Sequence, residues 1–168
     1  MILDWFPETK TVGLLFCSAE PNSRYQIDEV RKALEAQGVT CEEFAFTDSN
    51  DVSSVTQKAA DFSDVVYIPT DNTAASNTEA IANVTVPAKT PVIAGEEGIC
   101  KGCGVATLSI SYYDLGMTTG KMAAKILTGE ADISTMPIEF TTATPKYNAS
   151  MCETLGITPL EGYTAIAE

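Results

Sequence analysis

One stretch restricts the fold more than any other: Val12-Gly-Leu-Leu-Phe-Cys-Ser-Ala-Glu-Pro-Asn-Ser-Arg24. An uncharged apolar run breaks into a small polar turn, which leads straight into helical spacing at Ile27, Val30, Ala33 and Leu34 before Gly38 supplies a stop. A near-continuous apolar strand is what a sheet covered on both faces requires. The same unit then recurs. A strand over 39–46 with imperfect alternation, near a sheet edge, is followed by a helical pattern at Val52, Val55, Ala59 and Phe62. Further strands are expected over 64–69, 91–95 and 105–110, with helices from about Thr73 to Ala82 and from Tyr112 to Leu127, the latter with Leu115, Ala123, Ile126 and Leu127 on its apolar side. Five strands alternating with helices predict a flavodoxin-like three-layer α/β sandwich around a parallel five-stranded sheet. Residues 96–104 read as a loop, 137–141 as an extra strand and 148–155 as a short helix. Residues 1–7 read as the tail of something preceding.

Composition narrows the function. At 168 residues, 45% of them hydrophobic, the chain suits one globular domain. A formal charge of -13 repels phosphate backbones, so nucleic acid is not an expected partner. Histidine is absent, which removes the commonest general base and every Ser-His or Cys-His nucleophile pair. Of five cysteines only Cys100 and Cys103 are closely spaced. That pair is open to reading as a local disulfide, a dithiol, half a zinc site or ordinary buried thiols. No dinucleotide fingerprint or P-loop occurs and no cofactor is expected.

Three polar loops follow strands and should lie together at the carboxyl edge of the sheet. The first carries Ser18, Glu20, Asn22 and Ser23 into a helix whose free amides and dipole favour an anion. The others carry Thr70, Asp71 and Asn72, and Glu96 with Glu97. Neutral donors beside a helix start suit a carboxylate, and Asp71 or Glu96 suits an ammonium group. The combination points to a zwitterion such as an amino acid. Helix capping is the plainer role for each such residue taken singly, at ~1 kcal/mol apiece. Cys17 and Arg24 also bracket a strand-loop-helix as in low-molecular-weight tyrosine phosphatases. Six residues separate them instead of five, Pro21 removes an amide and Glu20 adds a negative charge, so an enzymatic role is not expected.

Four blocks carry a family resemblance: the 12–23 stretch, Tyr67-Ile-Pro-Thr-Asp-Asn-Thr73, Ala94-Gly-Glu-Glu-Gly98 and Ala106-Thr-Leu-Ser-Ile-Ser-Tyr-Tyr-Asp-Leu-Gly116. In order and spacing these resemble the ABC-transporter solute-binding proteins of the tryptophan/tyrosine-type uptake family, over residues 10 to 156. The resemblance implies one lobe, the C-terminal one, of a type I periplasmic-binding-protein fold. Residues 1–9 would be a remnant of an inter-lobe segment, 10–136 the lobe, and 137–168 a hinge-crossing strand and tail. It also implies an amino-acid ligand held by Ser18, Glu20, Asn22, Ser23, Thr70, Asp71, Asn72 and Glu96. The implied partners are a missing N-terminal lobe, an ABC permease and an ATPase. The implied setting is extracytoplasmic, on a lipoprotein whose export signal lies outside this chain. Such a setting allows a Cys100/Cys103 disulfide without requiring it. The freed lobe surface makes a homodimer of the fragment an expectation. A sensory domain of a receptor or regulator is the alternative within the same fold.

Overall fold

The computed structural model describes residues 1–167. Two compact units are distinguished by their internal contacts among the described residues: residues 1–108 with those from 145 onward, and residues 109–144.

The first unit is built on a sheet of order β2-β1-β3-β4-β5-β6-β7. Strands β1 (Thr11–Cys17), β2 (Thr40–Phe46), β3 (Val65–Ile68), β4 (Val92–Ala94) and β5 (Ala106–Ser109) form the expected parallel set in flavodoxin-like order, with β2 at the edge. The sheet is larger than the five strands expected. Strand β6 (Thr144–Tyr147) lies beside β5, and β7 (Thr164–Ala165) pairs in parallel with β6. Thr144 Oγ1 donates to the Ser109 carbonyl, and the Asn148 N–H donates to the Val105 carbonyl. One strand therefore ascends as the other descends, so β5 and β6 are antiparallel.

Alternate residues of β1 serve opposite faces, as a doubly covered strand demands. Leu15 and Cys17 join a core with Phe46, Val66, Ile68, Ile81 and Ile99, under α3 (Val52–Phe62), α5 (Thr78–Ala88) and α6 (Glu97–Cys103). Val12, Leu14 and Phe16 join another with Tyr67, Ile93, Ile27 and Leu34, under α1 (Ile2–Trp5), α2 (Pro21–Glu35) and α8 (Ala149–Leu155). Gly13 is where β1 meets α3 closely. A Cβ there would stand 2.5 Å from Ser63 Oγ.

Several expectations are corrected. Within residues 1–7, Ile2–Trp5 form a helical turn with Ile2 and Trp5 buried in the core. The helix expected from Thr73 to Ala82 is two helices, α4 (Asn72–Ala75) and α5, and Pro87 lies inside α5. Residues 97–103 are helical, because Glu96 caps that turn with its carboxylate. The extra strand falls at Thr144–Tyr147 instead of 137–141.

The second unit contains α7 (Tyr112–Leu127), with the bounds its periodicity predicts. Its burial departs from expectation: no residue of α7 is buried, and Leu127 is 86% exposed. Ile138 and Phe140 are exposed as well. By internal contacts the boundary falls after residue 108.

Candidate functional site

In an open parallel sheet, the crevice at the carboxyl ends lies where strand order reverses, here between β1 and β3. The loops leaving those strands bring residues 18–23 and 70–73 together. Hydrogen bonds across this gap are numerous. The Asn22 side-chain amide donates to the Thr70 carbonyl at 2.8 Å, and the Thr70 N–H donates to Gln26 Oε1 at 3.0 Å.

Two carboxylates form the strongest ties. Asp71 Oδ2 accepts the Cys17 N–H and the Ser23 hydroxyl, both at 2.7 Å. Its Oδ1 accepts the Ala74 N–H at 2.8 Å, capping α4. Asp71 is 1% exposed and Ser23 0%. Glu20 reaches across from the other loop. Its Oε2 accepts the backbone and side-chain amides of Asn72, and its Oε1 the N–H and hydroxyl of Thr73, all at 2.9 Å. Burial pushes the Glu20 pKa up, but those backbone and side-chain donors together outweigh it and hold the carboxyl below its ordinary value. Glu96 is engaged too, accepting the N–H groups of Gly98 at 2.8 Å and of Ile99 at the start of α6.

The sequence-derived roles divide accordingly. Ser18, Asn22 and Asn72 are exposed at this edge, and Glu20, Thr70 and Glu96 are partly exposed. Ser23 and Asp71 are buried and bonded to each other. The roles missed by sequence reasoning belong to Gln26 and Thr73, which complete the cross-ties. A Ser/Thr directly after a helix-starting Asx was the available cue for Thr73. Helix α2 opens at Pro21, not at a side-chain cap supplied by Asn22 or Ser23, as expected. Its N-cap is Glu20, whose side chain is occupied elsewhere. Pro21 has no N–H and the Arg24 N–H bonds the Glu20 carbonyl at 3.2 Å, so in the first turn of this 15-residue helix the Asn22 and Ser23 N–H groups are the ones without an intrahelical partner or a side-chain cap. Gly95, at the end of β4, allows the Pro69–Thr70 backbone to approach. A Cβ there would lie 2.8 Å from Pro69 C and Thr70 N.

The phosphatase geometry is absent. Cys17 is buried, its thiol directed to the Thr47 carbonyl at 3.6 Å. Arg24 pairs with both oxygens of Glu43 and with Asp28, and stacks over the Phe16 ring. Its hydrogen bonding to the Glu43 carboxylate, which accepts, is the main cause raising its pKa above the ordinary arginine value. Cys100 and Cys103 are free thiols, not a disulfide, and both are buried. Burial pushes Cys103 up to about 12 and Cys100 higher still. Among the described residues no cluster of three or more His, Cys, Asp or Glu could hold a metal ion. No helix among them is long and apolar enough to cross a membrane.

A sheet of flavodoxin-like order with a hydrogen-bonded crevice at its switch point is the class of α/β fold in which ligands are held at the carboxyl ends of the strands. The model of the ABC transporter substrate binding protein family matches residues 1–167, and the chain belongs to that family. The family model and the relatives below are those of binding proteins, not enzymes. It is similar to the tyrosine-binding protein of Clostridioides difficile, with 29% identity over 125 residues covering 74% of this chain and 36% of that protein. Among solved structures it resembles an ABC domain from Streptococcus pneumonia in complex with L-Trp, with 31% identity and TM-score 0.87. That match covers 98% of this chain and 58% of the other. A conserved domain protein from Vibrio cholerae matches with 28% identity and TM-score 0.88, over 98% of this chain and 57% of its own. A ligand-free, open substrate binding protein with adhesive properties from Clostridium difficile gives 31% identity and TM-score 0.80, over 98% and 57%. The chain thus spans little more than half of these structures, and about a third of the tyrosine-binding protein.

Proposed function

We propose that this chain forms one wall of the ligand cleft of an extracytoplasmic solute-binding protein serving an ABC importer, and that the ligand is an amino acid, aromatic by preference. The observation that carries this reading is the start of α2. Two of its first-turn amides, Asn22 and Ser23, have neither an intrahelical partner nor a side-chain cap, close in sequence to the exposed Ser18. A carboxylate at that position gains the helix-terminus donors and dipole with no competing side chain. Thr70 and Asn72 extend the row of neutral groups. With Asp71 withdrawn into the interior, Glu20 and Glu96 are the carboxylates left to meet an ammonium group, each retaining lone pairs beyond those its amide donors occupy. The ligand named for the Streptococcus structure and the name of the Clostridioides relative support the aromatic preference.

The other wall belongs to the lobe this chain lacks, and a permease and an ATPase complete the importer. The intact protein is held at the membrane as a lipoprotein. With one wall only, an amino acid stays half in water, so the isolated chain should bind weakly. Titration calorimetry giving tight binding by this chain alone would count against the two-walled cleft. The exposed apolar residues of α7 and of 133–140 favour pairing of the isolated chain with a second copy, and light scattering that finds only monomer would remove that expectation. The decisive experiment is a thermal-shift screen of the full two-lobed protein against amino acids, nucleosides and small sugars. Stabilisation by L-Trp or L-Tyr is expected. A response limited to nucleosides would overturn the proposal.

A further inference from the structure

Helices α2, α4 and α6 each begin behind an acidic N-cap: Glu20, Asp71 and Glu96. Asp71 and Glu96 serve their own helices. Glu96 shows what a glutamate does in that position. From an extended backbone its carboxylate turns back onto the second and third helical residues, accepting the N–H of Gly98 at 2.8 Å and that of Ile99. Glu20 stands at the same place before α2, also on an extended backbone, and the equivalent residues are Asn22 and Ser23. Their N–H groups receive no side chain.

Competing donors account for the difference. The Glu20 carboxylate is taken up by the start of α4, with two donors on each oxygen at 2.9 Å: the N–H and side-chain amide of Asn72, and the N–H and hydroxyl of Thr73. Its own helix offers two amides, where the neighbour offers four donors to the same ionised acceptor. The larger set holds it.

We propose that Asn72 and Thr73 are positioning residues: by holding the Glu20 carboxylate they keep it from folding back onto the Asn22 and Ser23 amides, and so keep open the place assigned above to the ligand carboxylate. Once released, Glu20 is an internal competitor for that place. Two carboxylates cannot share the same pair of amides, so ligand affinity falls in proportion to the time Glu20 spends there. The consequence for binding rests on the functional reading, whereas the position of Glu20 is set by the chain's own donors and is measurable without ligand.

The test is amide hydrogen exchange of the whole chain, followed by NMR and corrected for intrinsic rates. Asn22 and Gly98 are both the second residue of their helix and both exposed, so wild-type Asn22 should be less protected than Gly98. Asn72→Pro with Thr73→Val removes three of the four donors, and proline suits a first helical position that follows the extended Asp71. In that variant the protection of Asn22 should rise at least about fivefold, and adding Glu20→Ala should return it to the wild-type value. An unchanged Asn22, or a rise that survives Glu20→Ala, overturns the proposal. Asn72→Ala with Thr73→Val, which spares the backbone donors, should shift Asn22 in the same direction and serves if the proline variant does not fold. Sodium acetate, against sodium chloride at equal ionic strength, then supplies a carboxylate with no ammonium group. Its effect on the Asn22 and Ser23 amide shifts should need at least about fivefold more acetate in the variant and recover with Glu20→Ala. A wild-type response that the variant keeps in full overturns the proposal. The expected exchange changes with no acetate response in any form would uphold the positioning of Glu20 and overturn the ligand reading alone.

Discussion

Asp71→Asn tests whether the crevice is tied together from within. Three donors converge on the carboxylate: the Cys17 N–H and Ser23 hydroxyl at 2.7 Å on one oxygen, and the Ala74 N–H at 2.8 Å on the other. The asparagine amide has the same shape, but one of its ends donates. Turned toward β1, that end opposes the Cys17 N–H; turned toward α4, it opposes the Ala74 N–H. Neither backbone group can rotate away. One hydrogen bond to a charged acceptor is lost in either orientation, at about 1.5–3 kcal/mol, and the stranded N–H costs about 1–3 kcal/mol. These overlap, so the expected loss is about 2–4 kcal/mol. At 1% exposure, solvent does not relieve it. For a chain of this size the melting temperature should fall by about 5–15 °C. Urea unfolding of wild type, Asp71→Asn, Ser23→Ala and the double variant measures both the loss and the coupling of the pair, expected at about 0.5–3 kcal/mol. An Asp71→Asn protein within about 0.5 kcal/mol of wild type, or strict additivity with Ser23→Ala, would refute the reasoning.

Asp64 gives a pH signature. The backbone N–H groups of Lys10 and Thr11 hold its pKa below the ordinary value, against the opposing effect of burial. A carboxyl whose folded pKa is depressed contributes stability above its unfolded value of ~3.9 and loses that contribution as pH falls through the folded value. The stability gap between wild type and Asp64→Asn should therefore be full at neutral pH and close as the pH drops below ~3.9; a pH-independent gap would contradict it. Thiol labelling of the native chain, prepared without reductant, should find one fast site, the half-buried Cys41, ahead of the buried Cys17, Cys100, Cys103 and Cys152. All five should react in denaturant. Only three reacting there would reveal a disulfide.

The strands were legible because burial on both faces leaves an unbroken apolar run, and β1 and β3 carry one. Capping was legible in the same way: Asp71 sits three residues before Ala74, the spacing its side chain then uses. The partners that withdraw Asp71 from solvent were not. Cys17 contributes a backbone N–H, which any residue would supply, and Ser23 lies 48 positions away in sequence. Glu96 was hidden differently, since glutamate is an uncommon N-cap and the glycines of α6 read as loop. The pattern of α7 identified a helix correctly but carries no information on what covers its apolar side. Ile138 and Phe140 alternate like a strand, yet extended chain becomes a strand only with a partner to pair with.

The cross-ties at the crevice and the apolar helix α7 draw attention first, but the meeting of Ser109 with Thr144 bears on how the gene could change. Chain leaves β5 and returns in β6 at residues joined by a 3.3 Å hydrogen bond. To the sheet, the 34 intervening residues are a hairpin loop, and the entropy of closing such a loop grows only logarithmically with its length. Insertions, deletions or wholesale grafts between these two residues can alter what the protein meets while leaving strand pairing as it is. The junction is a splice point, where evolution or an engineer can exchange one module and retain the other.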